Sequence, residues 1–167
     1  MNVLFLQRTG LDLYKTLLAS ETSRRILRFY HPASCPGGIS VSVASIGCAL
    51  SLASELRWYI RRYMQEVLLE VARDRYCTLE LGRERYYDRD FTIDDDWPFR
   101  RLYVIRNGNL VSIVNLVAFD DQGSSLQSGE QVNRLTVLCS EREYNGELSI
   151  GRGEETEPGE DSNHDGE

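Results

Sequence analysis

The chain has 167 residues, 41% of them hydrophobic and 27% charged, enough for one ordinary core with some chain to spare. No apolar run approaches the ~18 residues of a membrane span, and the brief apolar start (residues 1–6) is followed rather than preceded by Arg8, so no secretory signal is expected. The net charge of −7 is uneven: residues 1–140 hold 17 Lys+Arg against 16 Asp+Glu, and residues 141–167 hold 2 against 10.

In chain order, Asn2-Val3-Leu4-Phe5-Leu6 is a short apolar run without helical period, a buried strand. Thr9-Gly10-Leu11-Asp12 reads as a capping box, and Leu11, Tyr14, Leu17 and Leu18 follow at helical spacing. His31-Pro32 and Cys35-Pro36-Gly37-Gly38 form a loop, since proline lacks the N–H a helix needs. Residues 39–46 alternate with period two and are β-branched, the clearest strand, and Gly47 ends it. Leu52, Leu56, Ile60, Tyr63 and Val67 then make one apolar stripe, predicting a helix over about 48–69 on which Arg62 can pair with Glu66. Residues 76–81 alternate as a third strand. Residues 101–106 and 110–119 are hairpin arms around Asn107-Gly108, where both turn positions need positive φ.

The expected order is therefore β-α-β-α-β-β. Residues 120–140 read as a linker with one extra short element near 132–139, and the acidic tail, residues 141–167, buries nothing and is expected to be disordered. Four cysteines far apart, without Cys-x-x-Cys, suit a reducing compartment, nucleus or cytoplasm, and argue against a zinc ribbon.

Catalytic hardware is sparse. His31 stands in a loop without a nucleophile in its pattern, Asp94-Asp95-Asp96 lacks calcium-loop spacing and reads as a solvated charge run, and Gly37-Gly38 precedes a strand rather than a helix. No catalytic residue, metal or cofactor is expected, and an enzyme is disfavoured. Binding has better material. Arg83, Arg85, Arg89, Arg100, Arg101 and Arg106 are interleaved with Tyr86, Tyr87, Phe91, Trp97, Phe99 and Tyr103, the mixture that grips phosphate and stacks on unpaired bases. The same stretch holds Glu84, Asp88, Asp90 and the three aspartates, which offset those arginines.

The joints between these elements resemble the Alba superfamily of nucleic-acid-binding proteins, over residues 2 to about 118. The resemblance lies in Gln7-Arg8-Thr9-Gly10 after the first strand, in the run from Ile39 through Gly47-Cys48-Ala49-Leu50 to Ala53, and in Arg106-Asn107 before Val111-Ser112-Ile113. Thr78-Leu79-Glu80-Leu81 with that Arg-Asn pair looks most like the small Alba-type subunits of RNase P and RNase MRP. The resemblance implies an α/β (α+β) two-layer sandwich over residues 1–119, a four-stranded mixed sheet with two helices on one face. It implies a non-catalytic RNA-binding protein, a homodimer or a heterodimer with a second Alba-type chain, or a subunit of a ribonucleoprotein. The binding residues would be Arg8, Ser45, Gly47 and the arm Arg100, Arg101, Arg106, with Arg83 and Arg85 beside it. The alternative is a protein-interaction module that keeps the fold with a weakened nucleic-acid surface.

Overall fold

The computed structural model describes residues 1–89, 93, 96–117 and 132–146. Among them the chain forms β1 (Asn2–Gln7), α1 (Leu13–Ala19), α2 (Glu21–Leu27), β2 (Ala33–Cys35), β3 (Gly38–Ser42), α3 (Ile46–Glu55) and α4 (Arg57–Tyr63). It continues with β4 (Met64–Ala72), β5 (Arg75–Thr78), α5 (Leu79–Tyr87), β6 (Arg100–Arg106), β7 (Asn109–Leu116), β8 (Val132–Leu138) and α6 (Glu141–Asn145). The eight strands make one sheet in the order β2-β3-β1-β4-β5-β8-β6-β7, antiparallel except where β5 and β8 run parallel.

β1 explains the architecture. Its apolar run has no alternation because both of its faces are buried. Val3 and Phe5 point to a helix-covered core with Leu13, Leu17, Leu52, Leu56 and Leu69. Leu4 and Leu6 point to a second core with Leu68, Tyr103, Ile105, Leu110 and Val137. The second core exists because the sheet curls over itself. β1 and β7 are far apart in strand order, yet the Gln7 side-chain amide donates to the Gly108 carbonyl at 3.1 Å. Fully burying each Leu, Val or Phe contributes about 1.5–3 kcal/mol, so the second core favours the curl that brings Leu4 and Leu6 against Ile105 and Leu110.

The four-stranded sheet with two helices is overturned: the sheet has eight strands, and six helices are formed among the described residues. The segment read as a loop over residues 31–38 contains β2, which pairs along β3 from Ala33–Ser40 to Cys35–Gly38, and three further local causes account for much of the rest. First, the stripe expected to run to Val67 ends sooner. Helical hydrogen bonds continue through Leu56 (Leu56 N–H to Leu52 O, 3.0 Å; Ile60 N–H to Leu56 O, 2.9 Å), but Met64 turns extended and β4 begins. β4 has Val67 and Leu69 on one face and Leu68 on the other, so its apolar run carries no period to tell it from a helix. Glu66 consequently lies on a strand and cannot pair with Arg62 along a helix.

Second, the strand expected over 76–81 stops at Thr78, whose hydroxyl accepts from the Leu81 N–H (3.2 Å) and starts α5. Gly82 lets α5 lie close on β4, since a Cβ there would stand 2.5 Å from Leu69 Cδ1. Third, β8 is inserted between β5 and β6, pairing Tyr76 with Val137 and Tyr103 with Leu135. The extra element near 132–139 is thus an inner strand of the sheet, and the folded unit reaches α6, beyond the expected boundary at 119.

The other local expectations divide: the strand expected over 39–46 is the shorter β3, Gly38–Ser42, and Gly47 lies in the first turn of α3 rather than ending a strand. Asn107 and Gly108 take φ of +50° and +75° at the hairpin turn between β6 and β7. The cap of α1 is Asp12 rather than Thr9: its carboxylate accepts from the Lys15 N–H at 3.0 Å. Residues 141–146 form α6 and its end, while the expectation for the rest of the tail, for most of the linker and for Asp94 and Asp95 lies outside the described residues.

Candidate nucleic-acid interface

The residues expected to bind RNA fall after β1 (Arg8), at the start of α3 (Ser45, Gly47), on α5 (Arg83, Arg85) and on β6 (Arg100, Arg101, Arg106), and Arg101 among them is turned inward. Arg101 is only 9% exposed, because it shares the inward phase of Tyr103 and Ile105 on β6. Its Nε donates to Asn115 Oδ1 at 3.0 Å and its Nη2 donates to the Glu143 carbonyl. Arg100 is half-buried and donates from Nε to the Trp97 carbonyl at 2.8 Å, and Arg106 stands exposed beside the hairpin turn. Arg83 is exposed on α5, where Arg85 lies over the Trp97 ring at 5.5 Å.

Ser45 caps α3, its hydroxyl accepting from the Cys48 N–H at 3.3 Å. Gly47 makes room for α5, since a Cβ there would meet Tyr86 Oη at 3.1 Å. The strand–glycine–helix joint is therefore accounted for by a cap and a helix contact. Arg8 finishes α4, donating from Nη2 to the Arg61 carbonyl (2.9 Å) and from Nε to the Met64 carbonyl (3.4 Å). A cation at the carbonyl end of a helix is favoured by the helix dipole.

The inward arginine belongs to a polar cluster inside the curl. Glu66 accepts from the Tyr103 hydroxyl at 3.4 Å, and Thr78 donates to Glu143 Oε2 at 2.6 Å. Burial, helped by the Glu143 carboxylate and opposed by Tyr103 and Arg101, pushes Glu66 up to about 7. Burial also raises the Tyr103 hydroxyl above its ordinary value, with the Glu66 charge adding to the rise. α6 buries no side chain of its own and is held through this cluster, by Ser140 in a capping box with Glu143, and by Asn115 Nδ2 donating to the Tyr144 carbonyl at 2.8 Å.

A different surface collects exposed cations. α4 reads Arg57-Trp58-Tyr59-Ile60-Arg61-Arg62-Tyr63, three arginines and three aromatics in seven residues. Tyr59 turns inward, its hydroxyl 2.6 Å from Ser20 Oγ, which brings the junction of α1 and α2 against α4. Trp58 is 56% exposed, with Arg62 over its ring at 5.7 Å. On α2, Arg24 and Arg25 are exposed, and just past it Arg28 covers the exposed Phe29 ring at 4.5 Å. Arg24, Arg25, Arg57 and Arg61 are exposed, and their side chains make no ion pair or hydrogen bond with described residues.

The sequence carried a signal for this face that the hairpin arm obscured: residues 1–63 hold eight Lys+Arg against three Asp+Glu. Reading residues 57–63 only for their apolar stripe hides the arginine–aromatic alternation on the other side.

A cleft of about 320 Å³ opens between Gln7, Asp12, Tyr14, Cys35, Gly37 and Gly108. Burial pushes the Cys35 thiol up to about 11, so it is no thiolate nucleophile near neutrality. Among the described residues no three His, Cys, Asp or Glu side chains converge as a metal set, and no helix is long and apolar enough to cross a membrane. All four cysteines are free thiols.

Fold and surface together define an α+β protein, a curled mixed sheet with α1 to α5 on one face and exposed arginines on those helices. Residues 1–103 match the family of unknown function DUF5804, and the chain belongs to that family. The match spans every helix from α1 to α5, and so includes the arginine-bearing face. No curated protein and no solved structure matches the chain.

Proposed function

We propose that this is a non-catalytic RNA-binding protein, acting as a dimer or as a subunit of a ribonucleoprotein, and that it meets RNA through α2 and α4 rather than through the hairpin arm. The observation that carries this reading is the set of exposed arginines on those helices, Arg24, Arg25, Arg57 and Arg61, without acidic partners among the described residues. Arginine presents a planar fork to phosphate oxygens, and such contacts dominate sequence-independent affinity. The likeness to the Alba superfamily lends support only at the joint of residues 39–53, because the sheet around that joint is twice the size expected. Free thiols suit a reducing setting, nucleus or cytoplasm.

The test is RNA affinity as a function of salt for the full chain and for R57E/R61E and R83E. The wild type is expected to weaken as salt rises, and R57E/R61E to lose binding, while R83E keeps it. Milder R57Q/R61Q should flatten the salt dependence by roughly 1.4 in log–log slope, about 0.7 for each phosphate that is no longer neutralised. Unchanged affinity in R57E/R61E would reject the assignment.

A protein-interaction role is favoured by a separate observation. Among the described residues β7 is an edge strand, it carries no charged residue, and Val111 and Val114 are exposed on it. Natural edges are ordinarily blunted by charge or proline.

A further inference from the structure

Trp58 is the largest side chain that the helical layer leaves in water. The core does not need it, since Leu56 and Tyr59 on either side supply the buried contacts of this helix. Its ring is nonetheless held in place. Tyr59 meets it edge-on at 5.0 Å and 84°, and Tyr63 does so at 5.8 Å and 77°. Arg62 lies 5.7 Å from the centroids of both Trp58 and Tyr63. An aromatic platform braced in this way loses little further conformational freedom when a flat partner stacks on it.

Resting on the RNA-binding reading above, we infer that the ligand of this face is single-stranded RNA, with an unpaired base stacked on Trp58 and the neighbouring phosphates on Arg57 and Arg61. The charge of the face selects a polyanion, because Arg24, Arg25, Arg57 and Arg61 stand exposed on α2 and α4. The exposed indole then selects the form of the polyanion. In a duplex the base faces are already stacked on one another, so a side chain on a convex helix reaches only phosphate and sugar. An unpaired base offers its π-face, and stacking on an aromatic side chain is worth about 1–3 kcal/mol whatever the base. Arg28 over Phe29 repeats the pairing of guanidinium and exposed ring beyond α2, so the helical layer offers a second platform of the same chemistry.

The two kinds of contact separate experimentally, since arginines serve both forms of RNA and Trp58 serves one. Fluorescence anisotropy of the full-length protein is measured with a labelled, unstructured 15-nucleotide uridine-rich RNA and with a labelled hairpin of matched length. The variants are W58L, W58F and R57Q/R61Q, each checked for an unchanged melting temperature; Trp58 is exposed, so its replacement leaves the core intact. The wild type is expected to favour the unstructured RNA. W58L should weaken that complex about tenfold and leave the hairpin unchanged, W58F should retain most of the affinity, and R57Q/R61Q should weaken both.

If W58L binds the unstructured RNA as the wild type does while R57Q/R61Q weakens both RNAs, the stacking inference is overturned and the RNA-binding reading stands. If the wild type binds neither RNA, that reading fails and the inference falls with it.

Discussion

Replacing Arg101 with alanine separates a structural arginine from a binding one. The guanidinium is 9% exposed and holds Asn115 on β7 and the Glu143 carbonyl on α6, with the Glu66 and Glu143 carboxylates nearby. In R101A, Asn115 Oδ1 and the Glu143 carbonyl lose their donor, and Glu66 loses a compensating charge. Leaving those two acceptors without their donor costs about 1–3 kcal/mol each, or about 2–6 kcal/mol together. That is a large share of the roughly 5–15 kcal/mol by which a domain is stable. At about 2–4 °C per kcal/mol for a chain of this size, the melting temperature should fall by about 4–24 °C. Urea denaturation followed by circular dichroism measures the loss, and RNA affinity is read at low temperature, where the variant remains folded. Lower stability with RNA affinity within twofold of the wild type is expected. Wild-type stability combined with lost RNA binding would refute the reasoning and return the arm to the binding surface.

Two further outcomes follow from the same network and from the charge distribution. Burial raises Glu66 from an ordinary 4.5 to about 7, so the folded protein holds this proton more tightly than the unfolded chain does. Its contribution is complete below about pH 4.5 and is lost as pH rises through about 7, a change of about 3 kcal/mol at 1.36 kcal/mol per pH unit. Glu66→Gln should therefore flatten stability against pH between 4.5 and 7, and parallel profiles for the two proteins would contradict the buried carboxyl. Truncation after Gly146 keeps α6 docked and removes eight of the ten acidic residues that follow position 140. RNA affinity should rise at low salt as the competing negative charge is removed, and an unchanged affinity would show that this charge does not act on the arginine face.

What was legible in the sequence was local. β1, β3, the joint at Ser45 and Gly47, and the Asn107-Gly108 turn announce themselves through neighbours a few residues apart. β4 was hidden because a strand buried on both faces loses the alternation that marks a strand, and Val67 falls in phase with the stripe before it. The end of β5 was blurred because Leu79 and Leu81 continue an alternating pattern, although Thr78 caps a helix. The place of β8 depends on pairing with strands some 30 and 60 residues earlier, which no local pattern records. The candidate site was half legible. Arg101 shares its strand phase with Tyr103 and Ile105, but its partners Asn115 and Glu143 are supplied by β7 and α6. The arginines of α4 were visible as residues off the stripe, whereas their company with α2 required the contact of Tyr59 with Ser20.

RNA is expected to lie on the helical face, over Trp58. Photocrosslinking of the wild-type protein to a uridine-rich RNA, followed by mass spectrometry of the modified peptides, tests it most directly. Crosslinks are expected in the tryptic peptide of residues 58–61, which contains Trp58. Crosslinks confined to residues 97–106, with residues 58–63 unmodified, would contradict the claim.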